Sequence, residues 1–351
     1  MRCPIIGESP VTQTDSTPAG SWQLRDIRCD YCGAEDFEVV LEGYDRLHGL
    51  PGTFRVVACS ECGLARTSPQ PTPESLPTAY PATYPAHRPE QMPQPPGGFL
   101  RWALANYRGY PLGKPAPAPV RWLAWPAAAL FLRTRRQTGY LPYVGEGRLL
   151  DLGCGAGRYV AKMAAAGWQA EGMDPSPEAV RLCREAGLTA HEAEATATTL
   201  APGSYDVVTM WGSLEHVPSP KATLAGVFRL LAPRGLLLIS VPRFDSLPAR
   251  WFGSAWFALD LPRHLTHFSR AALALCVASA GLEVVWIRSY RRPAIIRKSF
   301  RWLADETGRR IHRVLGRSRI VVGLMALVAG ATGRTGRMVC LARKPGKVQP
   351  T

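Results

Sequence analysis

The feature that most constrains this chain is a short run near its middle, Leu149-Leu150-Asp151-Leu152-Gly153-Cys154-Gly155-Ala156-Gly157-Arg158. An apolar strand over 148–152 enters a turn with glycine at every second position, and a helix pattern over 159–166 follows at once. Glycine lets a backbone turn tightly and approach a ligand closely. Seventeen residues past Gly157 stands Asp174, in Met173-Asp174-Pro175, at the end of a second apolar strand. This spacing suits a nucleoside: the loop takes one end and the carboxylate accepts from the ribose hydroxyls.

The acid before the first glycine narrows the choice. A dinucleotide fingerprint reads G-x-G-x-x-G and reserves its helix N-terminus for pyrophosphate. Here the order is Asp151-x-Gly153-x-Gly155-x-Gly157. A carboxylate is badly placed beside pyrophosphate and well placed near the ammonium of an amino-acid tail, directly or through water. S-adenosylmethionine (SAM) has that tail and a sulfonium. On these residues the chain resembles the class I SAM-dependent methyltransferases; another Rossmann-like binder is the remaining reading. The resemblance implies an α/β fold with a Rossmann-like seven-stranded sheet. It also implies an acidic residue facing the adenine amino group after the third strand, with the next backbone N–H facing the ring. Glu194 and Ala195 are the matching positions, although the usual acid is Asp.

The surrounding pattern agrees. Strands are expected over 148–152, 169–173, 188–193, 204–211, 236–241, 282–287 and 338–342. Ser176 is placed to cap a helix with Pro177 in its first turn, and Ser269 to cap a helix over 270–280 that Gly281 stops. A second helix is expected over 222–231, followed by a turn at Pro233-Arg234-Gly235. Strands alternating with helices make a doubly wound sheet with its ligand at the strand carboxyl ends.

The chain has 351 residues, more than one compact domain usually needs. It divides into a tail (1–26), a four-cysteine module (27–66), a proline-rich linker (67–98), a basic aromatic helical segment (99–140) and the methyltransferase domain (141–345). That domain includes a basic, apolar helical insertion over 292–333. In the module, Cys29-Asp30-Tyr31-Cys32-Gly33 and Cys59-Ser60-Glu61-Cys62-Gly63 are paired C-x-x-C-G knuckles with strands expected over 37–41 and 53–58 between them. Four thiolates close a tetrahedral zinc site with no open position, which makes the metal structural. Cys29, Cys32, Cys59 and Cys62 are its expected ligands in a zinc-ribbon-like module; free or redox-active thiols are the alternative. Cys3, Cys154, Cys183, Cys276 and Cys340 lack such pairing and read as packing residues. Ten prolines fall between 69 and 96, so that stretch reads as a stiff, extended linker. Tyr80 and Tyr84 within it either dock on the catalytic domain or stay exposed.

Net charge is +15. It favours nucleic acid, anionic lipid or a phosphorylated substrate as partner; an Arg-rich composition without a specific partner gives the same number. The start, Met1-Arg2-Cys3-Pro4, has no apolar signal core, and no apolar run reaches the ~20 residues that span a bilayer. The cysteine usage fits a reducing, cytoplasmic setting.

Methyl transfer is an in-line displacement at carbon, so the enzyme aligns the nucleophile and removes its proton. The acceptor side lies after the fourth strand, in Trp211-Gly212-Ser213-Leu214-Glu215-His216-Val217-Pro218. His216 is the first base candidate; otherwise Glu215 and His216 hold the loop by hydrogen bonds. Trp211 is placed to pack against the cofactor. A second cluster, Trp251-Phe252-Gly253 with Trp256 to Phe268, reads as a lid or acceptor wall, or as plain packing. His264 and His267 within it are alternative bases, and Arg263 is placed to meet an acidic acceptor.

The four-cysteine module, the Leu214-Glu215-His216-Val217 loop and Pro262-Arg263-His264-Leu265 together resemble one bacterial methyltransferase group. It lies near the ubiquinone-pathway O-methyltransferases and the enzymes of sugar and polysaccharide pathways. The ubiquinone enzymes share the Leu-Glu-His-Val loop but lack the zinc module, which points away from a quinone. The resemblance implies methyl transfer to a small molecule, with a hydroxyl of a sugar, glycolipid or related metabolite as acceptor. An RNA methyltransferase and a non-catalytic SAM-fold scaffold are the alternatives. The segments 99–136 and 309–328 put short apolar runs beside Arg133, Arg135, Arg136 and the arginines of 309–319. They suit either the inner face of an anionic membrane or helices packed on the core.

Overall fold

The computed structural model describes residues 23–80, 92–134 and 139–346. The expected tail through residue 22, Cys3, Tyr84, Arg135, Arg136 and the side chain of Arg133 lie outside them.

The amino-terminal part is built of β1 (Leu24–Arg25), β2 (Phe37–Gly43), β3 (Phe54–Cys59), β4 (Ala65–Ser68) and β5 (Gln70–Pro71). Helices α1 (Gly98–Tyr107) and α2 (Ala118–Thr134) follow. Then come β6 (Arg148–Leu152), α3 (Arg158–Ala164), β7 (Gln169–Asp174), α4 (Pro177–Glu185), β8 (Thr189–Glu192), β9 (Tyr205–Trp211), α5 (Pro220–Leu230) and β10 (Leu231–Pro242). The chain continues through α6 (Leu247–Phe252), β11 (Thr266–His267), α7 (Arg270–Ser279) and β12 (Glu283–Ser289). It closes with α8 (Pro293–Thr307), α9 (Arg310–Arg317), α10 (Arg319–Ala331) and β13 (Arg337–Arg343).

Seven strands form the main sheet in the order β12-β13-β10-β9-β6-β7-β8. Strands β6 to β10 pair in parallel, and β13 runs antiparallel between β10 and β12. The chain winds outward from β6 through β7 and β8, then returns to start again at β9. The switch point therefore lies between β6 and β9, where a ligand crevice opens at the strand carboxyl ends.

Local chemistry sets the boundaries. Ser176 Oγ accepts from Ala179 N at 3.3 Å and Ser269 Oγ from Ala272 N at 3.1 Å, so both expected caps form. Helix α5 starts earlier than expected because Ser219, not a later residue, caps it and Pro220 takes the first position. The expected turn at Pro233-Arg234-Gly235 lies within β10 as an irregularity in register between Leu231 and Leu236, with Arg234 at φ 63°.

Both sheet faces are covered. Leu224 and Val227 of α5 and Leu273 and Val277 of α7 pack with Val208, Met210 and Ile239 on one face. Ala103 and Leu104 of α1, Ala128 of α2 and Met163 of α3 pack with Leu149, Val207 and Leu238 on the other. A third core joins Phe54 and Val56 of β3 to Phe252, Trp256, Leu259 and Leu261 and to Ile296, Phe300 and Val322 of the insertion. The aromatic cluster expected as a wall or as packing is therefore mostly packing, although Trp251 is partly exposed.

The amino-terminal sheet runs β11-β4-β3-β2, and its edge strand β11 comes from the carboxyl-terminal half of the chain. Thr266 pairs with Arg66 and His267 with Ala65. The part of the proline-rich stretch that precedes residue 81 also departs from an extended linker. Gln70 and Ala79 are buried, and a tight turn covers Leu76–Ala79. Gln70 Nε2 donates to Leu265 O at 2.9 Å, so this segment is part of the fold.

Candidate cofactor, acceptor and metal sites

Asp151 lies at the end of β6, where Leu152 leads into Gly153, Gly155 and Gly157 at φ 72°, 53° and 79°. A Cβ on Gly153 would stand 2.4 Å from Ser213 Cβ, and one on Gly157 2.6 Å from Leu188 Cδ1. Conformation and space both demand glycine there. Asp174, buried at the end of β7, holds the loop: its Oδ2 accepts from Gly155 N and its Oδ1 from Ser176 N, each at 2.9 Å. Asp151 is buried and accepts from Thr209 Oγ1 at 2.6 Å. Burial raises its carboxyl to about 7, against which the Thr209 hydrogen bond works.

Trp211, at the end of β9, packs against Tyr159 with ring centroids 5.2 Å apart, and Tyr159 donates to Gly139 O at 2.7 Å. Glu194 is exposed two residues past β8, and Ala195 beside it is buried. The nucleoside positions expected from the sequence thus line the ends of β6, β7, β8 and β9. The residues fit SAM on two structural grounds: a loop whose positive φ and close packing against Ser213 and Leu188 admit only glycine, and buried carboxyls beside it.

The acceptor-side turn is joined to the loop, since Ser213 Oγ donates to Leu152 O at 2.8 Å. Glu215 follows in the next turn. It is 2% exposed, its Oε1 lies 3.8 Å from Arg337 Nη2, and its Oε2 is buried without a hydrogen-bond partner. Burial raises its carboxyl. His216 is half-buried, with Nδ1 3.0 Å from both Arg263 O and the Tyr80 hydroxyl. Tyr80 therefore docks on the catalytic domain. The rings of His216 and His264 meet edge to face at 4.6 Å. Burial lowers His264 well below its ordinary value and lowers His267 to about 3, so both are neutral at pH 7. His267 Nε2 lies 3.0 Å from Thr67 Oγ1 on the shared sheet.

Arg263 differs from expectation. It is wholly buried, bound to Asp45 at 2.6 and 3.0 Å and to Asp260 at 2.7 and 3.0 Å. No face remains for an acidic acceptor; its role is to fasten the amino-terminal part. Sequence reasoning missed Asp45, which carried no motif, and missed that Asp30 reaches the catalytic domain. Asp30 Oδ1 accepts from Ser219 Oγ at 2.6 Å and Oδ2 from Lys221 N at 2.9 Å, at the start of α5. Cys154 and Cys183, read as separate packing residues, lie with sulfurs 3.8 Å apart behind the glycine loop.

The four knuckle cysteines cluster, with Cys29 and Cys62 sulfurs at 3.4 Å, Cys32 and Cys59 at 3.5 Å and all four within 4.8 Å of one another. Zinc–sulfur bonds near 2.3 Å place tetrahedral sulfurs about 3.8 Å apart, so this set fits zinc. Gly33 and Gly63, at φ 78° and 72°, complete the knuckle turns, donating to Cys29 O and Cys59 O at 2.8 and 2.9 Å. Cys59→Ser is expected to abolish stoichiometric zinc and to lower Tm far more than it weakens SAM binding. Metal analysis, thermal melting and calorimetry on one sample check this; full zinc content in the variant would contradict it.

The fold and this site have the arrangement that the sequence resemblance implied for a class I, SAM-dependent methyltransferase domain. Residues 126–286 match a family model described as a methyltransferase domain. The chain is similar to the ubiquinone biosynthesis O-methyltransferase of Xanthomonas euvesicatoria pv. vesicatoria, 34% identical over 152 residues that cover 39% of this chain and 63% of that protein. It is also similar to the enzyme of the same name from Burkholderia thailandensis, 34% identical over 154 residues covering 40% and 66%. The chain thus spans just under two thirds of the length of these relatives. Among solved structures, a SAM-dependent methyltransferase from Mesorhizobium loti aligns with a TM-score of 0.42 at 19% identity, covering 63% of this chain and 97% of that one.

Proposed function

We propose that this protein transfers the methyl group of SAM to an oxygen of a small-molecule acceptor, a hydroxyl of a sugar, glycolipid or related metabolite. The observation that carries this reading is the junction at Ser213, where the glycine loop meets the turn bearing Glu215 and His216. It sets a nucleoside cradle against a cluster of proton-accepting and oxygen-binding groups. The relatives' name as O-methyltransferases supports an oxygen acceptor, while the four-cysteine module supports the sugar-pathway side of the resemblance. SAM, when bound, supplies the activated methyl. Asp174 would hold the ribose, Asp151 the ammonium, Glu194 and the Ala195 N–H the adenine, and Trp211 would pack beside them. His216 and His264, whose rings meet beside this turn, would face the acceptor as proton acceptors; His267 lies against Thr67 of the shared sheet.

Purified protein given radiolabelled SAM and fractionated cell extract tests the reading. Label entering a lipid or glycan fraction, insensitive to RNase, is the expected result. Label in RNA would favour the nucleic-acid alternative, and SAM binding with no transfer to any fraction would favour a scaffold.

Asp151 gives the reaction a pH signature. A carboxyl raised to about 7 is largely neutral at pH 6 and cannot pair with an ammonium. SAM affinity is therefore expected to rise from pH 6 to 8 and to level off above. Calorimetry across that range checks it, and Asp151→Asn is expected to bind weakly with a flat profile.

We further propose contact with an anionic membrane surface, in keeping with a cytoplasmic protein held at the inner face. Among the described residues no single helix is long and apolar enough to cross a bilayer. Yet α2 exposes Trp122 at 83%, with Leu123, Trp125 and Leu130, and α10 exposes Ile320 at 75%, with Leu324 and Leu327. Neither helix, nor α9 with Arg310 and Arg317, contains an acidic residue. Exposed apolar groups flanked by arginine suit an interfacial helix. The opposite faces of these helices pack inward at Ala128, Val322 and Ala326, so packing and exposure coexist. Co-sedimentation with phosphatidylglycerol vesicles is expected at low salt and should weaken as salt rises; no pelleting at low salt would end the idea.

A further inference from the structure

We infer that Arg337, together with Tyr290 and Arg292, forms an anion-binding site on the acceptor side of the crevice, so that the acceptor is an acidic small molecule carrying a carboxylate or a phosphate. This inference deepens the methyl-transfer reading and rests on it. Arg263 is closed to such an acceptor because Asp45 and Asp260 enclose it. Arg337 is a guanidinium that the fold leaves with room for one.

Strand register gathers these groups at one edge. Arg337 begins β13 opposite Pro242 at the end of β10, and Met338 beside it pairs with Ser289 at the end of β12. Because β13 runs antiparallel, its first residue lies at the carboxyl ends of its neighbours, the edge at which a doubly wound sheet takes its ligands. Ser240 of β10 links the group to the cofactor side, since it pairs with Trp211 of β9. Gly212 follows at φ 73°, and a Cβ there would stand 2.6 Å from Arg337 Nη2. The guanidinium therefore lies against the turn that leads into Ser213.

That guanidinium is held in place but not neutralised. Arg337 donates from Nε to Ser240 Oγ at 3.0 Å and from Nη2 to Ser240 O at 3.1 Å, both uncharged acceptors. Glu215 Oε1 lies 3.8 Å from Nη2, beyond hydrogen-bond reach. Nη1 has no hydrogen-bond partner among the described residues, and the side chain is 20% exposed. The Tyr290 hydroxyl lies 3.0 Å from Ser240 Oγ, and the Arg292 guanidinium stands 5.6 Å from the Tyr290 ring centre. Arg292 is exposed and has no acidic partner among the described residues. Asp245, an acid at this edge, is spent on Arg243, whose Nη2 donates to its Oδ2 at 2.8 Å.

Two guanidiniums without acidic partners and a phenol at the rim of a crevice suit an oxyanion. A guanidinium offers a planar fork of N–H donors that matches the oxygens of carboxylate and phosphate. Its attachment to Ser240 fixes that fork beforehand, so little side-chain freedom is lost on binding. Holding the anion at this end would orient the acceptor and turn its hydroxyl toward the Ser213 junction. Arg337 would then decide which acceptors are taken, with no part in the proton transfer itself.

The test titrates full-length protein with glucose 1-phosphate, glucuronate and glucose by calorimetry, with and without S-adenosylhomocysteine. One acidic sugar or both are expected to bind more tightly than glucose, and which of them binds distinguishes phosphate from carboxylate. Arg337→Met is expected to weaken that binding at least about 10-fold, with S-adenosylhomocysteine affinity retained. Tyr290→Phe and Arg292→Met, each expected to weaken it about 2- to 10-fold, carry the test if Arg337→Met does not fold. Acidic sugars that bind no better than glucose overturn the inference, as does equal binding by wild type and all three variants. Radiolabelled SAM and RNase-treated cell extract separate the two readings. Label in products held by an anion exchanger supports the acidic acceptor, and label in neutral products alone removes it while methyl transfer stands. Acidic sugars bound through Arg337 without any SAM binding would keep the anion site and remove methyl transfer.

Discussion

Arg263→Ala is expected to destabilise the folded protein by about 3–5 kcal/mol, the usual loss when one partner of a buried ion pair is removed, and to lower Tm on the order of 10 °C. Arg263 is 0% exposed and Asp45 is 2% exposed. Asp45 also accepts from the backbone N–H groups of Leu47, His48 and Leu50, so it organises the whole bend after β2. Burial pushes its carboxyl up, but the Arg263 guanidinium outweighs that and holds it below its ordinary 3.8. Remove the guanidinium and a carboxylate stays buried without a counter-charge. A depressed folded pKa contributes stability above the unfolded value, and that stability is lost as pH falls through the folded one. The wild type should therefore lose this contribution only below about pH 4, whereas the variant should be weak at pH 7 and recover relative to wild type in acid. Thermal melts from pH 3 to 8 check both parts. A variant within 1 kcal/mol of wild type at pH 7 would show that the pair is incidental.

Asp174→Ala is expected to weaken SAM binding by about 1.5–3 kcal/mol, roughly 10- to 150-fold, the worth of hydrogen bonds to a charged acceptor. Two effects combine. The ribose hydroxyls lose their acceptor, and Gly155 N and Ser176 N lose the oxygens that hold the loop and the start of α4. Asp174→Asn keeps one accepting oxygen and should fall between. Calorimetry with SAM and with S-adenosylhomocysteine, which shares the ribose, should show the same loss for both ligands. Unchanged affinity in the alanine variant would remove Asp174 from the nucleoside site.

The legibility of this protein in its sequence was uneven. Ser176 followed by Pro177, and Ser269 before an apolar helix, announce their caps because capping is settled within three residues. The glycine loop is equally local: positive φ at Gly153, Gly155 and Gly157 follows from residue type. The paired knuckles carry their spacing with them. Arg263 shows the opposite case. Its neighbours in sequence suggest an acceptor contact, yet its partner Asp45 lies 218 positions away. Nothing local marks that pairing.

By itself the sequence determined the elements: the doubly wound sheet, the acid–glycine loop, the acid after the second strand and the four thiols. These depend on periodicity, caps and backbone freedom, which act over a few residues. Only the tertiary structure decided how the amino-terminal part joins the rest. It lends β4 to pair with β11, Asp30 to the start of α5 and Tyr80 to His216. It also brings Glu215, His216 and His264 together and leaves Glu215 Oε2 without a partner. Such contacts are non-local. They arise because burying apolar faces forces distant polar groups inward, where each must find its partner in space.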